Sequence, residues 1–247
     1  MLSLIDPVTL LLASLIIFTG ALTQSLIGFG LAVVATPLLY IVDPELVPVP
    51  VIVMGFSIAL LTLIRERGHL EFNGLQYALL GRLPGGLIGA TLLLLAPQPI
   101  LGLTIALIVA VAVFLSLRKY SIKINRLSLF IAGIFSGIFG TVAAIGGPPM
   151  ALLLAGKDAS QFRAALSAFF IFSSLIALII LGCFGLLTLR HLWLSLLLLP
   201  SVFLGFLVAG RLVGRVDKEK TRVLTLALCA LSALLLTIKS SLALING

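Results

Sequence analysis

Arg82 is the residue of this chain whose type and position best suit it to bind an anion. It stands inside a long apolar segment, away from the clusters of basic residues. An arginine in such surroundings needs a polar partner or contact with a water-filled pathway. Its planar guanidinium can hold an oxyanion through two parallel hydrogen bonds. All eight acidic residues fall near the ends of apolar segments. Arg82 therefore predicts an oxyanion clamp; the alternatives are that it snorkels or caps the carbonyls of a broken helix.

The stretch GTVAAIGGPPMALLLAG, residues 140–156, interrupts an apolar run with strong helix breakers. Proline removes a backbone donor and restrains the residue before it, while glycine allows positive φ. Gly146 and Gly147 should therefore end one helix, and Pro148 or Pro149 should lie in the first turn of another. A helix start leaves backbone N–H groups unpaired and carries a partial positive charge. The break is therefore a second candidate element of an anion site.

A related stretch, SLIGFGLAVVATPLL, covers residues 25–39. Its sequence predicts one break at GFG, residues 28–30, and a second at ATP, residues 35–37, where Thr36 would cap the helix that follows. Polar side chains inside the apolar segments are few, and those nearest these breaks are candidates for hydrogen bonds to a ligand. They are Gln24, Ser25 and Thr36.

The elements that must hold these residues are membrane-spanning helices. Of 247 residues, 61% are hydrophobic and only 10% are charged, which leaves too little polar surface to cover a soluble domain. Charge-free runs close to or above the roughly 20 residues of a bilayer-spanning helix recur along the chain. They are Pro7–Val42, Leu46–Ile64, Leu83–Leu117, Leu127–Gly156, Ala164–Leu189, Leu192–Gly210 and Val223–Ile238. The composition predicts an all-α polytopic membrane protein whose surroundings are the lipid bilayer.

The formal net charge of +8 fits the same picture. The basic residues lie mostly in short loops between apolar runs, where positive-inside topology and anionic headgroups account for them. No nucleic-acid partner is therefore expected. The N-terminal residues MLSLIDPVTL lack the basic region and cleavage site of a signal peptide, so we expect them to be retained.

The chain contains an internal repeat. Residues 25–39 align without a gap on 137–151, and LPGGLIG at 83–89 aligns on LPSVFLG at 199–205. The shared order and nearly constant offset predict two homologous halves within a single transmembrane domain, 1–247. Such repeats are typical of transporter folds.

Each half is expected to contain a broken segment followed by three helices. Repeat 1, about 7–117, is divided into 7–42, 46–64, 72–95 and 99–117; a basic linker, 118–126, leads to repeat 2, about 127–239, with 127–156, 162–182, 189–213 and 221–239. The third helix of each half carries a stripe of small residues, which lets helices approach closely and could also serve a homodimer. The stripes are Gly81, Gly85 and Gly89, and Ser201, Gly205 and Ala209.

Orientation depends on whether each broken segment crosses the membrane once or doubles back as a re-entrant hairpin. A single crossing divides the loop arginines and lysines almost evenly between the two faces. Hairpins give each half an odd number of passes, and leave only Arg190 and Lys239 on one face. The other thirteen loop residues then share a face: Arg65, Arg67, Arg118, Lys119, Lys123, Arg126, Lys157, Arg163, Arg211, Arg215, Lys218, Lys220 and Arg222.

The positive-inside bias favours the hairpins. We therefore predict inverted repeats, each with a broken helical hairpin and three transmembrane helices. The basic loops would be cytoplasmic, and both termini would lie on the opposite side of the plasma (cell inner) membrane.

Residue patterns for catalysis or metal binding are not found in the sequence. There is no HExxH motif, no paired aspartate and no Ser–His pair inside the spans. His69 and His191 lie near loops, and Cys183 and Cys229 lie in apolar surroundings without ligand spacing. We expect neither an enzyme nor a metal or other cofactor.

The two break motifs make the chain resemble the sulfite exporter TauE/SafE family. GFGLAVVATPLL opens the first half and GTVAAIGGPPMALLL the second, and the resemblance spans the whole chain. The Gly-Gly-Pro-Pro element is its most specific part, while the first motif is looser, with Phe29 between two glycines. Members look like exporters or importers of small sulfur oxyanions and organosulfonates. The site residues that the resemblance implies are Gly28, Gly30, Pro37, Gly140, Gly146, Gly147, Pro148 and Pro149.

A secondary transporter is the expected function. Its substrate would be a small anion, first of all sulfite or an organosulfonate such as sulfoacetate, bound where the two breaks meet. Alternating access of the two repeats would export it. Import of thiosulfate or another small anion, and an anion channel, stay open as alternatives because transport direction and coupling leave no mark on the sequence.

Overall fold

The computed structural model describes residues 6–70, 74–117, 124–154, 156–212 and 218–245. Over these residues the fold is entirely helical, with ten α-helices and no strand. The α-helices are α1 (Pro7–Ile27), α2 (Leu31–Val42), α3 (Val49–Glu66), α4 (Leu75–Leu95), α5 (Gln98–Leu117), α6 (Arg126–Val142), α7 (Gly147–Leu154), α8 (Ala159–Cys183), α9 (Leu189–Leu212) and α10 (Lys218–Ile245). Short 3₁₀ helices, Pro44–Leu46 and Arg67–His69, flank α3.

Among the described residues, seven helical segments are long and apolar enough to cross a membrane. They are α1, α3 with its flanking 3₁₀ turns, α4, α5, α8, α9 and the Val223–Ile245 part of α10. Large apolar side chains on these helices stay exposed, among them Leu11, Leu107 and Leu224. Such a surface suits lipid tails, which are as apolar as leucine. The polytopic membrane class predicted from composition is therefore confirmed.

The last helix is longer than predicted. It was expected over 221–239, but α10 continues to Ile245. Lys239 consequently lies inside a helix, so its assignment to a loop was wrong. Its ammonium donates a hydrogen bond to Ile41 O, 2.7 Å away, near the C-terminal end of α2. The lysine can stay in an apolar helix because its stem packs on apolar surface while its charged head reaches a helix-end carbonyl.

The last residue of the predicted basic linker, 118–126, is the first residue of α6. Residues 118–123 lie outside the described residues, as do 72, 73, 155 and 213 of the predicted helices. Asn125 and Ser128 form a reciprocal cap: Ser128 N donates to Asn125 Oδ1 (2.8 Å) and Asn125 N donates to Ser128 Oγ (3.0 Å). Arg126 is therefore the first residue of α6 and not a loop residue.

The first break reverses the chain. Gly28, which follows α1, has a φ of 106°, and Gly30, which precedes α2, has a φ of 128°; glycine adopts both at little cost. A Cβ built on Gly20 would lie 3.0 Å from Leu31 O. A helix that simply continued would separate those two residues by about 15 Å or more. α2 therefore runs back alongside α1.

The second break also reverses the chain. It contains Ala144, whose φ is 59°. Ser136 Oγ of α6 donates a hydrogen bond to Gly146 O, 2.7 Å away, although a continuing helix would separate these residues by about 15 Å. Leu154, at the end of α7, shares a buried cluster with Leu129 from the first turns of α6. α7 therefore returns toward the end of the molecule where α6 began.

Proline was predicted to mark helix starts at two places, and the structure confirms one of them. α7 begins at Gly147, so Pro148 and Pro149 lie in its first turn as predicted, where a missing N–H leaves no helical hydrogen bond unmade. The second break predicted over 35–37 was wrong, because α2 continues through this segment. Membrane helices tolerate an internal proline where neighbouring groups satisfy the freed backbone. Thr36 is accordingly a helix-interior residue and not a cap.

The small-residue stripes bring helices into backbone contact. A Cβ on Gly85 of α4 would overlap Ile134 O of α6, and one on Gly133 of α6 would overlap a backbone carbonyl of α4. In the second half, a Cβ on Gly205 of α9 would lie 2.7 Å from Phe18 O of α1. Thus α4 packs on α6, and α9 packs on α1. These glycines are used inside the chain, so they no longer argue for a homodimer.

Candidate functional site

A small cavity lies where the two breaks meet. Its volume is about 40 Å³, and its lining includes Gly30 and Gly147, at the starts of α2 and α7. The polar side chains of the lining are Gln24, Arg82, Ser173 and Ser174. The cavity therefore combines two helix N-termini with one guanidinium.

Arg82 is almost completely buried, with 2% of its surface exposed. Its Nη1 donates a hydrogen bond to Ser136 O of α6, and its Nε donates to Ser173 O of α8 at 3.3 Å. Among the residues that the structure describes, Nη2 has no hydrogen-bond partner and no carboxylate pairs with the guanidinium. Both carbonyls lie inside continuous helices, so they are not the carbonyls of a broken helix that the alternative prediction expected this arginine to cap. Carbonyl dipoles do not neutralise a buried charge, so the site stays electropositive.

Glycine makes room for the guanidinium at one position and for the Ser136 hydroxyl at another. A Cβ on Gly140 would overlap Nη1 of Arg82. A Cβ on Gly146 would lie 2.8 Å from Ser136 Oγ and 3.7 Å from the same Nη1. Both glycines come from the motif that the family resemblance singled out. Their contribution is space, since any side chain at position 140 would displace the arginine.

Gln24 orders the start of α2 and also faces the cavity. Its Oε1 accepts a hydrogen bond from Leu31 N, 3.2 Å away, which satisfies one of the N–H groups left unpaired at a helix start. Because Oε1 is held in this way, the other end of the amide is the donor Nε2. Within the described ranges Nε2 makes no hydrogen bond, and the residue is 6% exposed. Gln24 therefore offers the cavity an unpaired donor.

Two predicted site residues, Ser25 and Gly28, lie outside the cavity lining at the tip of the first hairpin. Arg65 donates hydrogen bonds to Ser25 Oγ (3.0 Å) and Ser25 O (2.8 Å). Arg163 packs against Gly28, where a Cβ would lie 2.9 Å from the arginine Cγ. The Arg163 guanidinium pairs with Glu66 at 2.8 Å. Charged side chains at the end of α3 and the start of α8 thus hold this tip.

Thr36 and the prolines support the site from outside the lining. Thr36 Oγ1 donates a hydrogen bond to Ala143 O, 2.7 Å away, and both residues are fully buried. The bond joins the first hairpin to the C-terminal cap of α6. Pro37, Pro148 and Pro149 are buried beside the breaks and do not line the cavity.

Sequence reasoning missed the two serines that hold Arg82. Ser136 lies one residue before the aligned segment 137–151, and continuing the alignment by that residue sets it on Gln24. Both side chains bond across their own break. Ser173 carried no signal. It contacts Arg82 through a backbone carbonyl, a group that every residue has.

A larger cavity, of about 180 Å³, lies at the tip of the second hairpin. Val142, the last residue of α6, contributes to its lining. Polar residues in its lining are Tyr40, Glu45, Gln98 and His191. The small cavity between the breaks thus lies between a charged cluster at the first hairpin tip and an open space at the second.

Broken helices that meet beside a buried guanidinium, in a helical membrane protein, are a recurring feature of membrane transporters. The sequence matches the family model Sulfite exporter TauE/SafE over residues 12–236. The chain therefore belongs to the sulfite exporter TauE/SafE family, and it is a membrane transporter and not an enzyme. No curated protein and no solved structure matches the chain.

Proposed function

We propose that the protein exports a small sulfur oxyanion, with sulfite as the first candidate. The observation that carries the proposal is the state of Arg82: a buried guanidinium beside a cavity, with Nη2 unbonded and no carboxylate partner within the described residues. An oxyanion would supply the missing negative charge and accept the Nη2 hydrogen bond. The helix starts of α2 and α7 and the Gln24 amide would add donors.

The size of the cavity supports the smallest members of the substrate class. A water molecule needs about 10–15 Å³ on this scale, so a cavity of about 40 Å³ holds only a few such groups. Sulfite consists of one sulfur and three oxygens, whereas sulfoacetate adds a carboxymethyl group. We therefore expect sulfite to bind without rearrangement, and sulfoacetate to require the breaks to move apart.

Membrane potential is the driving force in this proposal. Moving one negative charge out of a negative-inside cell yields about 2.3 kcal/mol per 100 mV, and a dianion yields twice that. A proton relay would need a carboxylate beside the substrate. Glu66, the buried acid among the described residues, instead pairs with Arg65 and Arg163 at the hairpin tip. Efflux down the potential requires no such relay.

We infer further that the two halves, about 7–117 and 127–239, form inverted repeats within one transport domain. The ion pair between Glu66 at the end of α3 and Arg163 at the start of α8 supports this arrangement. If each broken segment crossed the membrane once, those two helix ends would lie on opposite faces. If each segment doubles back, they lie on the same face.

A contact at the other face supports the same arrangement. Glu45, between α2 and α3, pairs with Arg190 at the start of α9. Single crossings would place these two helix ends on opposite faces, whereas inverted repeats place them on the same face. Tyr40, near the end of α2, also donates a hydrogen bond to Gln98 O at the start of α5 (2.7 Å), a contact that both arrangements allow. The positive-inside bias then makes the Glu66 face cytoplasmic and the other face, with both termini, external to the plasma membrane.

Alternating access would open and close the protein at the tips of the two hairpins. In the described conformation the cluster of Arg65, Glu66 and Arg163 closes the cytoplasmic tip of the first hairpin. The 180 Å³ cavity beside Val142 leaves space at the external tip of the second. Rocking one repeat against the other would open the charged cluster and fill the cavity, with the anion held between the breaks.

A flux assay on the purified protein in proteoliposomes tests the substrate proposal. Sulfite is expected to move fastest at a given concentration, sulfoacetate and thiosulfate more slowly, and acetate least. Uptake should saturate, rise with a membrane potential of the matching sign, and show counterflow when unlabelled sulfite is loaded on the far side. Vesicles without protein are the control.

Two outcomes of that assay would contradict the proposal. Sulfite flux at the level of protein-free vesicles would remove sulfite as substrate, and preference for acetate would remove the sulfur oxyanions as a class. Flux that neither saturates nor shows counterflow would identify an anion channel. Potential-independent uptake against a gradient would favour an importer coupled to another ion.

Cysteine labelling at two glycines tests the inverted arrangement. Gly68 follows α3 and Gly156 precedes α8; both are exposed, and a Cβ at either meets nothing within 4 Å. In a Cys183→Ser background, which removes the exposed native thiol, Gly68→Cys and Gly156→Cys should both react with an impermeant maleimide only from the cytoplasmic side. Labelling from opposite sides would mean single crossings. Labelling of both from outside would keep the repeats inverted but reverse the orientation.

A further inference from the structure

Ser136 connects Arg82 to the second break through two different groups. Its backbone carbonyl accepts a hydrogen bond from Arg82 Nη1, and its hydroxyl donates one to Gly146 O at 2.7 Å. The residue has no exposed surface. One turn further along α6, Gly140 leaves the space that the guanidinium fills. The arginine and the break are thus held by the same residue.

The hydroxyl of Ser136 controls an acceptor that would otherwise compete with an anion. Gly146 lies beside the guanidinium, since a Cβ built on it would be 3.7 Å from Arg82 Nη1. A carbonyl oxygen there, freed from the serine, could turn toward Arg82 and accept its hydrogen bonds. It would also place a partial negative charge where an anion should bind. The serine keeps that oxygen engaged and leaves the guanidinium available.

The repeat supports a dedicated role for this position. Continuing the repeat alignment by one residue sets Ser136 on Gln24, and each of them bonds to the backbone of its own break. Gln24 accepts from Leu31 N, whereas Ser136 donates to Gly146 O. The side chain at this position therefore bonds a backbone N–H group in the first half and a backbone carbonyl in the second. Only Ser136 also contacts Arg82.

We propose that Ser136 is a positioning residue for anion binding, which orients Arg82 with its carbonyl and withholds the Gly146 carbonyl from the site with its hydroxyl. The inference rests on the proposed function of the cavity as an anion site. Ser136 acts through Arg82 and Gly146 and need not touch the anion. Loss of the hydroxyl should therefore weaken binding more than it slows the transport step.

The test compares Ser136→Ala with Ser136→Thr, which keeps a hydroxyl, and with Ser195→Ala as a matched control. Ser195 is also a buried serine whose hydroxyl donates to a carbonyl at 2.7 Å, but that carbonyl is His191 O in the same helix. Ser136→Ala should raise the KM for sulfite about tenfold with Vmax within a factor of about two, as expected for one lost buried hydrogen bond. Ser136→Thr should restore most of the affinity, and Ser195→Ala should leave KM unchanged.

Anion binding, measured by thermal stabilisation of the purified proteins with sulfite, sulfate, thiosulfate and acetate, separates this inference from the proposed function. If wild type binds a panel anion but transports none, the proposed function is wrong, and a tenfold weaker Kd in Ser136→Ala still supports the inference. If wild type binds and Ser136→Ala binds equally well, the inference is wrong. The same conclusion follows if Vmax falls while KM stays constant. If no anion stabilises wild type, both are overturned.

Discussion

Vesicles containing Arg82→Ala are expected to transport sulfite no faster than protein-free vesicles. The guanidinium is the buried positive charge of the site and is 2% exposed. Removing one partner from a buried charge pair costs about 3–5 kcal/mol, which corresponds to a loss of more than about hundredfold in apparent affinity. Initial rates of sulfite flux across a concentration series provide the measurement.

Two further variants separate charge from geometry at this position. Arg82→Lys keeps a positive charge but loses the planar fork of donors, so we expect weak residual flux with a raised KM. Arg67→Ala removes an equal charge from an exposed site at the end of α3 and should transport like wild type. The alanine variant must elute as wild type does in detergent, because Ser136 O and Ser173 O lose a shared donor. Normal flux through a well-folded Arg82→Ala protein would refute the clamp.

The positions of the two breaks could be predicted because helix breakers recur at aligned positions of residues 25–39 and 137–151, whereas glycine elsewhere in an apolar run also serves helix packing. The start of α7 at Gly147 follows from a local rule about proline in the first helical turn. The same kind of rule failed at Pro37, where α2 continues. Whether a freed backbone carbonyl finds another partner depends on neighbouring helices, and a local sequence pattern does not contain that information.

Arg82 could be singled out from its surroundings in the sequence, but its partners could not. Ser136 lies 54 positions away from it along the chain and Ser173 lies 91 positions away. Both contacts use backbone carbonyls, which carry no residue-specific signal. Thr36 shows the same limit. It was predicted to cap a helix beginning at Pro37, but it lies inside α2 and donates its hydrogen bond to Ala143 O, 107 positions away along the chain. Long-range hydrogen bonds of this kind depend on how the two halves pack.

The small-residue stripes were predicted to permit close packing, and the structure identifies what they pack against. Helix α4, which carries Arg82, lies against α6, which carries Ser136 and Gly140. The guanidinium therefore reaches the second break only if the two helix backbones stay in contact. Packing and binding are linked through one pair of helices.

Gly85→Ala should consequently destabilise the protein strongly. A Cβ at this position would overlap Ile134 O and would also lie 3.0 Å from Gly137 Cα. Both obstacles are backbone atoms, which cannot rotate away as a side chain can. Overpacking a core costs about 1–3 kcal/mol when side chains can adjust, so we expect at least the upper end of that range. The measurement is the melting temperature and the monodisperse yield in detergent.

Gly182→Ala is the matched control, because Gly182 lies within α8 and a Cβ there meets nothing within 4 Å. Alanine favours a helix over glycine by up to about 1 kcal/mol, so this variant should be as stable as wild type or slightly more stable. Gly85→Ala protein that does fold should bind sulfite poorly, since separating α4 from α6 draws Arg82 away from Ser136. If Gly85→Ala instead matches Gly182→Ala in both stability and sulfite affinity, α4 and α6 are not in backbone contact, and the route by which Arg82 reaches the break must differ.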